Sequence, residues 1–270
     1  MSFQSIARRA ILPAVLAACA FPAAAATLRV TVTNNFAAGG FSLTPLWVAF
    51  QDGSFDAFDR GSAASGAVES LAELGDPSGL DAALAAADGD AVSGVIPATA
   101  TGPGTIDPGE TGSAEFEVSP ASARYFTFMS MLVPSNDSFL GAEDPLAHEL
   151  FDASGGFLGD LVLTLTAADL FDAGTEVNNA ENGPAFVIGQ DGTAGEDENG
   201  VVGPVSSLSG FAGIETPLGD LILPDLTGDP AGLAVATIRI EQIPEVPVPP
   251  AAALAVSALA ALGMLRRRRA

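Results

Sequence analysis

Acidic side chains supply most of the chemistry available to this sequence. Its 270 residues hold 33 aspartates and glutamates against ten basic residues, with one histidine, one cysteine, one tryptophan and one tyrosine, for a formal net charge of −23. Two segments place acids where turns can gather them. Val133-Pro134-Ser135-Asn136-Asp137-Ser138-Phe139-Leu140-Gly141 turns sharply after the most apolar stretch of the chain and sets Asp137 at the strand end. Leu170-Phe171-Asp172-Ala173-Gly174-Thr175-Glu176 carries Asp172 and Glu176 on either side of an Ala-Gly turn, which can fold both carboxylates back toward one point. Calcium takes about six to eight oxygens at roughly 2.3–2.6 Å, drawn from carboxylates and carbonyls on loops. Asp137, Asp172 and Glu176, from two loops at one edge of a sheet pair, satisfy that demand together with backbone carbonyls. Asp and Gly also favour turns with no ion present, so the residues alone leave a calcium site and a pair of ordinary turns equally open.

Enzymatic constellations are largely missing. His148 is the sole histidine and cannot form a two-histidine metal centre. No Gly-x-Ser-x-Gly elbow is present, and Ser154 before Gly155-Gly156 lacks the preceding glycine. A carboxylate pair hydrolysing surface polysaccharide is the alternative that composition leaves standing. Such enzymes line a cleft with aromatic rings, and this chain offers one tryptophan, Trp47, and one tyrosine, Tyr125. The expectation is therefore a protein without catalysis. So acidic a surface repels nucleic acid and anionic lipid headgroups and suits cation binding.

The elements that must position these acids read as all-β. Leu28, Val30 and Val32 alternate with Arg29, Thr31 and Thr33, the period of a half-buried strand. Residues 41–50 (FSLTPLWVAF) form a second strand, with Pro45 arguing for an edge or a bulge. Ser65 to Leu74 and Leu80 to Ala87 have helical spacing, broken by Gly75-Asp76-Pro77. Residues 125–133 (YFTFMSMLV) read as a central buried strand, 161–166 (LVLTLT) alternates, and 235–243 (VATIRIEQI) closes the domain. Short strands between Gly, Pro and Asp turns indicate a β-sandwich with short helical insertions. The glycine- and acid-rich stretch 178–204 reads as a solvated loop or as a second cation-binding loop, without the spacing of known calcium loops.

Both ends read as processing signals. Arg8 and Arg9, the apolar run 10–18 and the alanines 23–26 fit a secretory signal over 1–26, with Leu16-Ala17-Ala18-Cys19 as a competing lipoprotein pattern. At the other end, prolines 247, 249 and 250, the apolar run 251–265 and Arg266 to Arg269 have the layout of a segment that stops in a bilayer with its basic end in the cytoplasm. This tail, 245–270, resembles the PEP-CTERM class of bacterial sorting tails in its Val-Pro-Leu-Pro-Ala variant, from which Pro249-Pro250 departs by one residue. The resemblance implies a Gram-negative host, a sorting enzyme acting at the tail, and an exopolysaccharide-linked export system. Between the ends, about 27–244, lies one domain that holds 32 of the 33 acids, four arginines and no cysteine.

Four motifs occur along this domain in order. They are Asp52-Gly53-Ser54-Phe55-Asp56 with Phe58-Asp59, the helical Glu69-Ser70-Leu71-Ala72-Glu73, Met131-Leu132-Val133-Pro134-Ser135-Asn136-Asp137 with Phe139 and Gly141, and Phe171-Asp172-Ala173-Gly174-Thr175-Glu176. Together they resemble the spondin N-terminal domain across roughly residues 28 to 243. The resemblance implies an antiparallel β-sandwich similar to C2 domains with a calcium ion at one edge. The family's metal-binding acids match Asp137, Asp172 and Glu176, the last an aspartate in animal members. The tryptophan that follows the first ligand in those members is Ser138 here, and their cysteines are absent. The expectation is an exported calcium-binding module at the cell surface or secreted, attaching to exopolysaccharide or to a cell-surface protein.

Overall fold

A computed structural model describes residues 25–98, 104–205, 208–223 and 232–244. Residues 1–24 of the expected signal and the whole of the expected tail lie outside these, and no helix among the described residues is long and apolar enough to cross a membrane. Two antiparallel sheets face each other, as the alternating and apolar strands of the sequence led one to expect. The smaller sheet runs β5 (Thr111–Val118), β1 (Ala26–Asn34), β13 (Ala234–Ile243), β8 (Leu161–Thr166). The larger runs β10 (Gly203–Pro204), β9 (Leu170–Asp172), β7 (Ser138–Gly141), β6 (Tyr125–Val133), β3 (Leu46–Gln51), β4 (Val92–Ile96), with β2 (Ser42–Leu43) also paired to β6. A small hairpin joins β11 (Glu215–Thr216) to β12 (Gly219–Asp220).

The smaller sheet has one wet face. Along β1, Leu28, Val30 and Val32 are buried, while Arg29 and Thr31 point outward to meet Glu115 and Ser113 of β5. The larger sheet is covered on both faces. Val48, Phe50, Phe126, Phe128, Leu140 and Leu170 join the sandwich core, whereas Trp47, Ala49, Met129, Phe139 and Phe171 pack on the opposite side beneath two helices. That double burial explains why β3 and β6 are apolar without alternation, a pattern more usual in sheets flanked by helices.

Helix α1 (Gly66–Leu74) starts where Ser65 Oγ accepts the Val68 N–H and ends at Gly75 in the left-handed region, φ 66°. Helix α2 (Ser78–Ala87) follows after the expected break. Val68, Leu71, Leu80 and Leu84 are buried against the sheet, and the indole N–H of Trp47 donates to Asp81 Oδ1 of α2 at 2.8 Å. Pro45 marks an interruption between β2 and β3 rather than an edge. β3 lies between β6 and β4, because the missing proline N–H falls outside the paired run 46–51.

Candidate metal centre

Asp137 precedes the first residue of β7 and Asp172 ends the adjacent β9. The strands pair antiparallel with Ser138 opposite Asp172, Phe139 opposite Phe171 and Leu140 opposite Leu170. The register is fixed by alternation. Leu140 and Leu170 must enter the sandwich core and the two phenylalanines the helical layer, so the acids are left at the strand ends. The Ala173 N–H donates to the Asp137 carbonyl at 3.2 Å and carries the pairing one residue further.

The stretch after Glu176 is held firmly to the sheet edge. Gly174 turns the chain at φ 68°. The returning strand then lays its backbone on the turn: Val177 N–H donates to Glu196 O at 2.8 Å, Glu198 N–H to Thr175 O at 2.8 Å and Gly200 N–H to Gly174 O at 2.7 Å. A Cβ on Gly174 would lie 2.6 Å from Val201 N, so only glycine permits so close an approach. The segment finishes as β10, pairing Gly203 with Asp172 and Pro204 with Phe171. Neither sequence reading of 178–204 foresaw this clamp, because it is made by backbone groups that leave no spacing signature.

Asp137, Asp172 and Glu198 each offer a carboxylate oxygen within 4.8 Å of the other two, in a group that grades from buried Asp137 to exposed Glu198. Two of the three acids expected from sequence are thus brought together. Glu176 is placed differently. Its backbone N–H donates to Asp137 Oδ2 at 3.1 Å, while its carboxylate takes a 3.4 Å bond from Asn136 Nδ2 and packs against the Cα of Gly195, where a Cβ would overlap it. The third carboxylate of the group is that of Glu198.

Amide and hydroxyl groups complete the surroundings. Asp137 Oδ2 also accepts from Thr175 N at 2.9 Å and Thr175 Oγ1 at 3.3 Å. Asn178 Nδ2 donates both to Asp137 Oδ1 at 2.7 Å and to Asp172 Oδ2 at 2.9 Å, and its Oδ1 accepts the Asn136 N–H at 3.0 Å, which fixes the amide orientation. Asp172 Oδ1 accepts from Gly174 N at 2.9 Å. Even so, burial raises Asp137 to about 6, with the Asp172 charge adding and the Glu176 and Thr175 bonds opposing. Burial likewise raises Asp172 and Glu176. From α1, Glu73 is pushed up to about 7, chiefly by burial, with Glu176, Glu69 and Asp137 adding their charges. No arginine among the described residues is paired to any of these acids. The four described arginines pair with Glu115, Glu143, Glu149, Asp160 and Glu241.

Three carboxylates within 4.8 Å of one another, with no cationic side chain of the described residues among them, form an oxygen-only donor set of the kind hard divalent cations take. One further observation fits an ion there. Ser138 Oγ, on the residue between Asp137 and the core, is the one buried side-chain polar atom among the described residues without a hydrogen-bond partner. Sequence reading singled out Asp137 at the turn after the most apolar stretch and Asp172 beside the Ala-Gly turn. Asn136 was not singled out, and Asn178 and Glu198 fell in the stretch 178–204, read as a solvated loop or as a second cation-binding loop and not as part of this group.

A family model described as Spondin_N matches residues 35–194, more than half of the chain, and its span takes in Asp137, Asp172 and Glu176 and stops short of Glu198. No curated protein matches the chain.

Proposed function

Because the chain belongs to the spondin N-terminal domain family, we propose that it is an exported, non-catalytic module whose calcium ion organises the edge of the larger sheet for attachment outside the cell. The observation that carries this reading is the meeting of Asp137, Asp172 and Glu198 without a cationic partner. Asp137 and Asp172 hold the ion from the two strand ends and Glu198 from the returning segment, while Glu176 supports Asp137 through its N–H. A divalent cation offsets the burial that raises Asp137 and Asp172, and the Asp172 charge that adds to it at Asp137. It thereby fastens 196–200 to 174–177. The secretory signal over 1–26 and the sorting tail over 245–270 deliver the domain to the surface of a Gram-negative cell. There the calcium-ordered edge attaches to exopolysaccharide or to a cell-surface protein.

The test is thermal unfolding of the mature domain in calcium and in chelator. Calcium at about 100 times its Kd should add about 2.7 kcal/mol, a rise of several degrees in midpoint. The Asp172→Ala variant should lose that rise. A wild-type midpoint indifferent to calcium would overturn the reading. Mass spectrometry of protein recovered from cells should give an N-terminus near residue 27 and a mass lacking the tail.

A further inference from the structure

The hydroxyl of Ser138 has no evident use in the protein's own hydrogen bonding. Ser138 is fully buried at 0% exposure, and its Oγ is without a partner. Its backbone N–H is satisfied separately, donating at 3.1 Å to Ser135 Oγ, whose own proton goes chiefly to the Leu132 carbonyl. Buried hydroxyls elsewhere in this sheet behave normally, as Ser130 Oγ does in donating to Thr44 O at 2.9 Å. Folded proteins rarely leave such an atom orphaned, and where one occurs an ion or an ordered water commonly accounts for it.

The register says where the hydroxyl lies. Ser138 is directly opposite Asp172, so the two side chains leave the same face of the sheet. The bond from Ala173 N–H to Asp137 O brackets them as a non-hydrogen-bonded pair. In such pairs the Cα atoms stand about 4.5 Å apart and side chains come closest. Asp137, the neighbouring residue, and Asp172 both belong to the carboxylate group. The orphan oxygen therefore leaves the sheet on the same face as Asp172, the face of Leu140 and Leu170, and is buried where Glu198 is exposed.

We infer that Ser138 Oγ belongs to the calcium site, as an inner oxygen donor bound to the ion or to a water the ion holds. The inference rests on the calcium reading above and adds to it a ligand that is neither acidic nor at a turn. A neutral oxygen on the buried side lets the ion gain coordination without a fourth negative charge in a place where burial already penalises Asp137.

The test compares calcium titration calorimetry and chelator-state unfolding for wild type, Ser138→Ala and Ser130→Ala. Ser138→Ala should weaken calcium binding roughly tenfold, a loss of about 1.4 kcal/mol. It should leave the midpoint in chelator unchanged or higher, since an unpaired buried hydroxyl is removed. Ser130→Ala should do the reverse, lowering the chelator midpoint while keeping calcium affinity. If wild type binds calcium and Ser138→Ala binds it equally well, the role of Ser138 is overturned and the calcium reading stands. A lower chelator midpoint with unchanged affinity also overturns it, by giving the hydroxyl a partner within the fold. If wild type does not bind calcium, the underlying reading falls, and this one with it.

Discussion

Asn178 shows what a single residue must do when two carboxylates share a buried corner. Its amide nitrogen bridges Asp137 and Asp172, and its own oxygen is tied to the Asn136 N–H. Replacing Asn178 with Leu removes the one side-chain donor among the described residues that is common to both acids. We expect a loss of about 1–3 kcal/mol in chelator, measured by urea unfolding, with a larger recovery on adding calcium than wild type shows. Glu198→Gln keeps the shape and removes one charge from the group. It should cost several-fold in calcium affinity by calorimetry while leaving the chelator midpoint within about 0.5 kcal/mol, as for other exposed positions. How these residues differed in legibility follows from chemistry. Asp137 and Asp172 stand at strand ends, where periodicity stops and an acid is conspicuous. Glu198 stands among Glu196, Asp197 and Asn199 in a stretch with no period, and only the backbone bonds to Thr175 and Gly174 choose it from its neighbours. Glu176 was legible as an acid near the turn, yet its direction depends on Asn136 and Gly195, which no spacing rule connects to it.

At the scale of elements, the turn at Gly174 decides whether the third carboxylate arrives. The left-handed φ and the 2.6 Å approach of Val201 N both exclude a Cβ. Gly174→Ala should therefore push the 198–202 segment off the sheet edge without disturbing β7 or β9. The expected outcome is early cleavage within 190–202 in limited proteolysis and a calcium response reduced at least as much as by loss of Glu198. Most strands were readable because each apolar run had a clear partner layer. The all-buried pattern of residues 46–51, LWVAFQ, signals burial on both faces, and α1 and α2 supply the second cover. Proline at 45 misled because its cost depends on which N–H faces a neighbour, a matter of register that a lone strand does not disclose. Cross-links over long separations, such as Gly61 N–H to Val202 O and Val202 N–H to Ser62 O, tie the entry to the helical layer to the same returning segment. They were invisible for the same reason as the bonds at Gly174.

For the molecule as a whole, acid excess sets the response to pH. Asp137, raised from 3.8 to about 6, and Glu73, raised from 4.5 to about 7, bind protons more tightly folded than unfolded. Their stabilising contribution is complete below about pH 4 and is lost as pH climbs through 6 and 7. The Asp137 shift corresponds to about 3 kcal/mol at most. His148, whose proton affinity burial lowers, opposes them over the same interval, so in chelator a His148→Gln variant should be more stable at pH 5 than at pH 8, and the increment due to calcium should grow over the same interval, as scanning calorimetry at several pH values would show. An indifferent midpoint between pH 5 and 8 would contradict the raised values. The layered build has a practical sequel. The only indole in the chain is fully buried between the larger sheet and α2, hydrogen-bonded to Asp81, and no tryptophan lies within the sandwich core. Intrinsic fluorescence excited at the indole band is thus a native gauge of one layer. Should the helices peel away before the two sheets part, emission will redden at a lower temperature than the one at which the far-ultraviolet β signal collapses.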